Sequence, residues 1–254
     1  MSTSLARGLR VIELLAQESR ALGVTEIAQR TGSSKSGVHS LLGALVRAGY
    51  AEHGTGGVYR LGLKAWEIGR SVPVSRLLRF AGPLMVDLAA RVQEGVILGV
   101  LDGFEVAYVH LIEGDQAVRV HAAVGDRIPA YCTSTGLALL ADLDGSQVDR
   151  LLPNRLPAIS AQTIVDRRAL HAELRRTRAR GYAVNRGGWR VDVGGIAASI
   201  PTKGARVAVA AGLCIALPRY RMTRPWIART APMLVRCAER LGGMLSETGR
   251  GAAA

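Results

Sequence analysis

The sequence predicts an α+β protein in two parts: an N-terminal winged helix-turn-helix, then, after a short connecting helix, a C-terminal domain on a mainly antiparallel sheet. Three observations predict this. Residues 24–50, VTEIAQRTGSSKSGVHSLLGALVRAGY, read as a short helix, a tight turn at Gly32 and a second helix with unlike faces. Two β-rich stretches separated by Gly54-Thr55-Gly56-Gly57 follow it directly, as a hairpin wing would. Beyond residue 75, helical stretches flank runs of strands with hairpin-length connections, which is α+β patterning.

The elements follow in chain order. Ser4 can cap a helix over residues 4–18, whose Leu5, Leu9, Ile12 and Ala16 recur at helical spacing and predict one buried face. Residues 25–30 give the next helix, with Ile27 and Ala28 inward. Ser33 is expected to cap the following helix, in which Val38, Leu41, Leu42 and Leu45 form an apolar stripe. The opposite face carries Ser36, His39, Ser40, Gly43 and Arg47, with Ser34 and Lys35 at the entrance. No acidic residue stands between Ser33 and Ala51, so nothing on this helix repels phosphate. Strands are expected over 50–53 and 58–61, and Arg60 or His53 on this wing can meet the DNA backbone. The candidate DNA-reading set is therefore Ser34, Lys35, Ser36, His39, Ser40, Arg47 and Arg60. An ordinary amphipathic helix with a solvated face is the bland alternative.

A helix over 64–71 with Trp66 and Ile68, punctuated by Pro73, reads as a linker between domains. Trp66 packs either on a partner chain or back on its own domain. The predicted division is 1–63, 64–74 and 75–248. In the last part, the pattern predicts helices over 77–93, to 141 after a small-residue run at 131–136, 146–152 and 166–180. Strands are expected at 96–101, 105–112, 117–124, 182–184, 196–200 and 207–217. Thr223 should cap a final helix to about residue 246, with Pro225 tolerated in its first turn, and the tail 249–254 should fray.

Composition sets the class. A 254-residue chain with 48% hydrophobic and 21% charged residues is globular rather than disordered. Its formal net charge of +13 favours a polyanionic partner, although residues 1–70 hold only nine Lys/Arg against five Asp/Glu. Cys132, Cys214 and Cys237 form no CxxC pair, so neither a structural zinc nor a disulfide framework is indicated. Charges interrupt the N-terminal apolar residues early and no long uncharged apolar run exists, so a signal peptide or membrane span is not expected and a cytoplasmic chain is.

The chain also carries VGDRIPAYCTSTGLALLA at 124–141, RGYAVN at 180–185 and GGIAASI at 194–200, besides the helix-turn-helix and YRLG at 59–62. With these motifs it resembles the IclR family of bacterial transcriptional regulators over nearly its whole length. The resemblance implies a GAF-like effector-binding and oligomerisation domain, and dimers or tetramers that bind a palindromic double-stranded operator. It also implies a small organic effector that alters DNA binding, with no cofactor and no metal. Carried over by position, the effector pocket would involve Ser134, Thr135, Gly136, Asn185, Gly195, Cys214 and Ala216. The backbone N–H groups of Ser134-Thr135-Gly136 at a helix start suit a carboxylate. Asn185, Gly195, Cys214 and Ala216 stand where relatives often place acidic, thiol and hydroxyl groups. That loss of polar groups points to an effector larger or less polar than a two- or three-carbon oxo-acid, aromatic or lactone-like. Gly37 and Ser40 similarly replace a β-branched residue and an arginine common in the family.

Other readings remain open at this level. Cys132 with His110 or His121 can be imagined as a thiol nucleophile and base, although the histidines show no spacing that demands convergence. The glycines of GVILGVLDG lack a dinucleotide-loop pattern. The arginine-rich helix at 167–180 reads as a solvated face before it reads as a second nucleic-acid surface. A DNA-binding or oligomerisation protein with a vestigial pocket is the remaining alternative.

Overall fold

A computed structural model describes residues 4–201 and 209–247. The chain divides into two compact units, meeting in sequence at Ser75 and Arg76.

The first unit has three helices, α1 (Ser4–Gln17), α2 (Val24–Thr31) and α3 (Lys35–Arg47). Strands β1 (Leu22–Gly23), β2 (Ala51–His53) and β3 (Val58–Leu61) form an antiparallel sheet in the order β1-β3-β2. The β1 strand, two residues long, has no periodicity for a sequence reading to find; pairing of Leu22 with Tyr59 creates it. Val11, Leu14, Leu15, Ile27, Val38 and Leu42 fill the core, with Leu41 and Leu45 packed at its edge.

Helix α1 corrects its sequence expectation. Leu5 is 73% exposed and Leu9 50%, while Gly8, Val11, Leu14 and Leu15 are buried. The helix carries apolar residues on two sides, and Gly8 faces Leu41, which turns the Gly8–Val11–Leu15 side towards α3. The cap of α3 also differs by one residue. Ser34, not Ser33, is the N-cap, and its Oγ accepts from the Gly37 N–H at 3.2 Å. Gly32 in the left-handed region ends α2, and the Ser33 N–H is spent on the Ala28 carbonyl at 3.0 Å. Helix α4 (Leu63–Gly69) follows the wing. Trp66 is 59% exposed, with the Arg70 guanidinium of its own unit 4.8 Å from its ring centre.

In the second unit, α5 (Val74–Val92) enters a six-stranded sheet. Its strands are β4 (Gly95–Asp102), β5 (Glu105–Ile112), β6 (Arg127–Pro129), β7 (Ala183–Arg186), β8 (Val193–Ser199) and β9 (Ala211–Pro218). Their order is β6-β5-β4-β9-β8-β7, every pairing antiparallel. Strict alternation sorts the residues: Ile97, Ala197, Cys214 and Ala216 face α6 (Ser134–Ala141), and their neighbours along each strand face the other way. Two more helices, α7 (Gly145–Leu151) and α8 (Arg167–Arg180), back α6 through Val148, Leu170 and Leu174. Helix α9 (Arg224–Glu247) lies against β8 and β9. Thr223 Oγ1 accepts from Trp226 N–H at 3.2 Å, as capping requires. Pro83 and Pro232 sit inside α5 and α9 without ending them.

The strand expected over 117–124 is absent. Its alternating apolar residues form instead a strap between β5 and β6, and the short strand Arg127–Pro129 pairs with Glu105–Ala107 of β5. The strand expected from residue 207 begins at Ala211; residues 207 and 208 and the tail lie outside the described residues. Asp149 and Glu173 pair with Arg167, Arg176 and Arg180 along α8, while Asp166 caps the helix through the Ala169 N–H. No helix among the described residues is long and apolar enough to cross a membrane.

Candidate functional site

Two surfaces carry the candidate residues. On α3, burial of Val38 and Leu42 fixes the rotation of the helix, and Ser34, Lys35, Ser36, His39, Ser40 and Arg47 are all exposed. Gly37 stands three residues into the helix, beside the cap. A Cβ there would fall 3.0 Å from the Ser34 hydroxyl that caps the helix. On the wing, Arg60 faces Glu52 across the β2–β3 ladder, its Nε donating to the carboxylate at 2.8 Å. Both side chains are largely exposed, so this pair contributes little to stability. It does set the local charge of the wing. His53, exposed on the wing, packs on Tyr59 with ring centres 4.6 Å apart and the rings tilted by 33°.

In the second unit a cleft with about 400 Å³ of empty space opens beside α6, little of it wide enough for a water molecule. Ser134, Asn185, Gly195, Cys214 and Ala216 line it, all named by the sequence. Thr135 and Gly136 do not. The Gly136 N–H is taken by Thr133 Oγ1 at 2.9 Å, so this donor is a helix cap and is not presented to a ligand. A Cβ on Gly136 would lie 2.0 Å from the Ala130 carbonyl oxygen, so the glycine serves close packing of two backbones. Asn185 is also occupied: its amide donates to the Cys132 carbonyl at 3.0 Å and accepts from the Gly188 N–H at 2.8 Å. It shapes the loop after β7.

The sequence did not single out Tyr108, Val120, Ala122, Trp189 or Arg190 as lining this cleft. Their signal is tertiary, since they come from β5, the strap and the loop after β7, none contiguous with the small-residue motif. Arg190 is the sole charged residue among the lining side chains. It lies 5.8 Å from the Trp189 ring centre. Burial keeps the Tyr108 phenol protonated well above its ordinary range. The same cause pushes the Cys132 thiol up to about 12 and raises that of Cys214, against the lowering effect of the Ser134 hydroxyl.

Both thiols in the cleft are protonated near neutrality, and a thiolate is the nucleophilic form. Neither His110 nor His121 lines the cleft, so Cys132 has no imidazole base there among the described residues. The thiol-enzyme reading is overturned on geometry.

The comparisons decide the family. Residues 70–242 match the C-terminal domain of the bacterial transcriptional regulator IclR, and residues 4–54 match the IclR helix-turn-helix domain. The chain belongs to the IclR family. Its relatives are regulators, not enzymes. An HTH-type transcriptional regulator of Mycobacterium tuberculosis is 35% identical over 183 residues, covering 72% of this chain and 70% of that protein. XynR, an HTH-type transcriptional regulator of Escherichia coli, is 34% identical over 185 residues, covering 72% and 73%. Among solved structures, an IclR homolog from Microbacterium hydrocarbonoxydans complexed with 4-hydroxybenzoate has a TM-score of 0.79 at 29% identity, covering 96% of this chain and 100% of that one. The Thermotoga maritima IclR, at 24% identity and TM-score 0.79 over 96% and 98%, shows the same fold. As an IclR-family member the chain is a DNA-binding transcriptional regulator with a C-terminal effector domain.

Proposed function

We propose that this regulator reads a palindromic operator as a dimer or tetramer, with residues 1–63 as the DNA-binding part, 64–74 as the connection and 75–248 as the effector and oligomerisation part. The exposed, acid-free face of α3 carries this reading: Ser36, His39, Ser40 and Arg47 point away from the buried Val38 and Leu42, and Ser34 and Lys35 are exposed at the start of the helix. Lys35 and Arg47 are placed for phosphate, and Ser36, His39 and Ser40 for base edges. Arg60 would leave Glu52 to meet phosphate on the wing.

The cleft is proposed to take a small organic acid with an aromatic or otherwise apolar body. Apolar and thiol side chains supported by the Tyr108 and Ser134 hydroxyls favour such a body over a short oxo-acid. Arg190 is the one charged residue lining the cleft, and its guanidinium is paired with Asp192 at 3.3 Å, so a ligand carboxylate would have to share or displace that partner. The 4-hydroxybenzoate of the Microbacterium relative has this chemistry. An effector alters operator affinity only by binding one arrangement of the protein better than another, and the narrow cleft requires some opening to admit it.

The test is a gel-shift with DNA upstream of the protein's own gene, over a salt series, with and without 4-hydroxybenzoate. Specific retardation that survives competitor DNA and is lost in a Lys35→Ala/His39→Ala variant is the expected result. Retardation equal for any DNA and unchanged in the variant overturns the operator reading, since net charge alone would then be acting. Specific retardation that no small organic acid changes would favour a vestigial pocket.

A further inference from the structure

The strap of residues 113–126 forms one wall of the cleft through Val120 and Ala122. It has no strand partner. Among the described residues, the only hydrogen bond from residues 114–122 to another element is the one that Arg221 Nη2 donates to the Val118 carbonyl at 2.8 Å. The same guanidinium grips Glu94 with both arms, Nε to Oε1 at 2.7 Å and Nη2 to Oε2 at 2.8 Å. Its Nη1 donates to the Tyr220 hydroxyl at 2.9 Å. The Glu94 side chain is only 5% exposed, so its charge depends on this partner.

Glu94 stands in the turn between α5 and β4. The strap begins by lying flat on that turn, since a Cβ on Gly114 would be 2.7 Å from Glu94 Cα. The opposite wall hangs on the same place. The 3-10 turn Arg219–Arg221 after β9 receives the loop after β7, with the Arg219 N–H donating to the Asp192 carbonyl at 2.7 Å. Arg186 Nη1 donates to the Met222 carbonyl at 2.8 Å. That loop supplies Trp189 and Arg190 to the cleft.

We propose that Arg221 is the positioning residue of the effector cleft: through Glu94 and Val118 it fixes the strap against the end of α5 and sets the distance between the two walls. The inference rests on the reading of the cleft as an effector site. Opening the cleft for a ligand would then load the end of α5, the helix by which the chain enters this unit. A lysine at 221 keeps the charge opposite Glu94, but one ammonium cannot span both carboxylate oxygens and the Val118 carbonyl as a planar fork does.

Hydrogen exchange on the full chain tests this, comparing wild type with Arg221→Lys and Arg221→Met, together with titration of 4-hydroxybenzoate and operator gel-shift without ligand. In Arg221→Lys, peptides covering 123–126, where the Ala123, Gly125 and Asp126 N–H groups are hydrogen-bonded, should exchange about tenfold faster while those in α6, α8 and β9 keep wild-type rates. Binding of 4-hydroxybenzoate should weaken by about tenfold or more, and operator binding should hold. A role confined to global stability would raise exchange throughout the unit and leave ligand affinity in proportion. Wild-type exchange in the strap of Arg221→Lys overturns the proposal, as does faster exchange spread evenly over the unit. If 4-hydroxybenzoate fails to bind the wild type, the effector reading fails for that compound, and the strap exchange still decides the role of Arg221. Should Arg221→Met not fold, Arg221→Lys carries the test.

Discussion

The Ser134 hydroxyl lies 3.2 Å from the Cys214 sulfur in a buried contact at the floor of the cleft. Gly195 makes room for it. A Cβ at that position would fall 2.8 Å from Ser134 Oγ and 3.4 Å from Cys214 Sγ. The absence of a side chain at 195 is therefore coupled to the presence of one at 134.

Gly195→Ala should force Ser134 off its rotamer and cost on the order of 1–3 kcal/mol, the usual range for overpacking a tight core. Adding Ser134→Gly should recover part of that loss. Urea unfolding of the single and double variants measures the coupling, and strictly additive losses would show that the two positions are independent.

Stability should also fall at alkaline pH for a reason located at Cys132. The unfolded thiol ionises from about pH 9, whereas burial holds the folded one protonated to about 12. The unfolded state therefore releases its proton first, and stability present below pH 9 is lost as pH rises towards 12. Each such group contributes a slope of about 1.4 kcal/mol per pH unit in that window. Cys132→Ser should remove its share, and unfolding midpoints between pH 8.5 and 10.5 would reveal whether the slope changes.

Capping separates two adjacent serines. Ser34→Ala removes the acceptor for the Gly37 N–H and should destabilise the first unit by about 1 kcal/mol. Ser33→Ala loses only a 3.4 Å contact to the Thr31 carbonyl and should cost less than half as much. Thermal unfolding of the full chain, followed by hydrogen exchange in α3, distinguishes them; equal losses would contradict the cap.

On the wing, Glu52→Gln should release Arg60 and remove a negative charge facing phosphate. Operator affinity should rise severalfold, with the log–log salt slope steeper by about one phosphate contact, roughly 0.9. Fluorescence anisotropy over a salt series gives both quantities. An unchanged slope would mean that Arg60 never reaches DNA.

Much of the architecture was legible because it rests on short-range rules. The α3 stripe, the glycine-rich wing turn, the Thr223 cap and the strands β4, β5 and β9 follow from local pattern and local hydrogen bonding. Where two local answers competed, the sequence could not choose. Helix α1 offers two apolar sides, and packing of Val11 and Leu15 against α3 selected the one opposite to the periodic Leu5–Leu9–Ile12 series. Residues 117–124 alternate as a strand would, but alternation does not decide whether a neighbouring edge pairs with them, and they run as a strap instead.

The cleft divides in the same way. Ser134, Asn185 and Gly195 were visible as members of contiguous motifs, Cys214 and Ala216 only by position on a later strand, and all five line it. The sequence by itself determined the two-part plan, the acid-free α3 face and the family. Only the tertiary structure decided that Tyr108, Trp189 and Arg190 complete the cleft and that Arg221 and Glu94, 127 residues apart, form a buried ion pair. The reason is range: helix phase and turns are set by residues within a few positions, whereas a cleft and a buried ion pair exist only where distant segments meet.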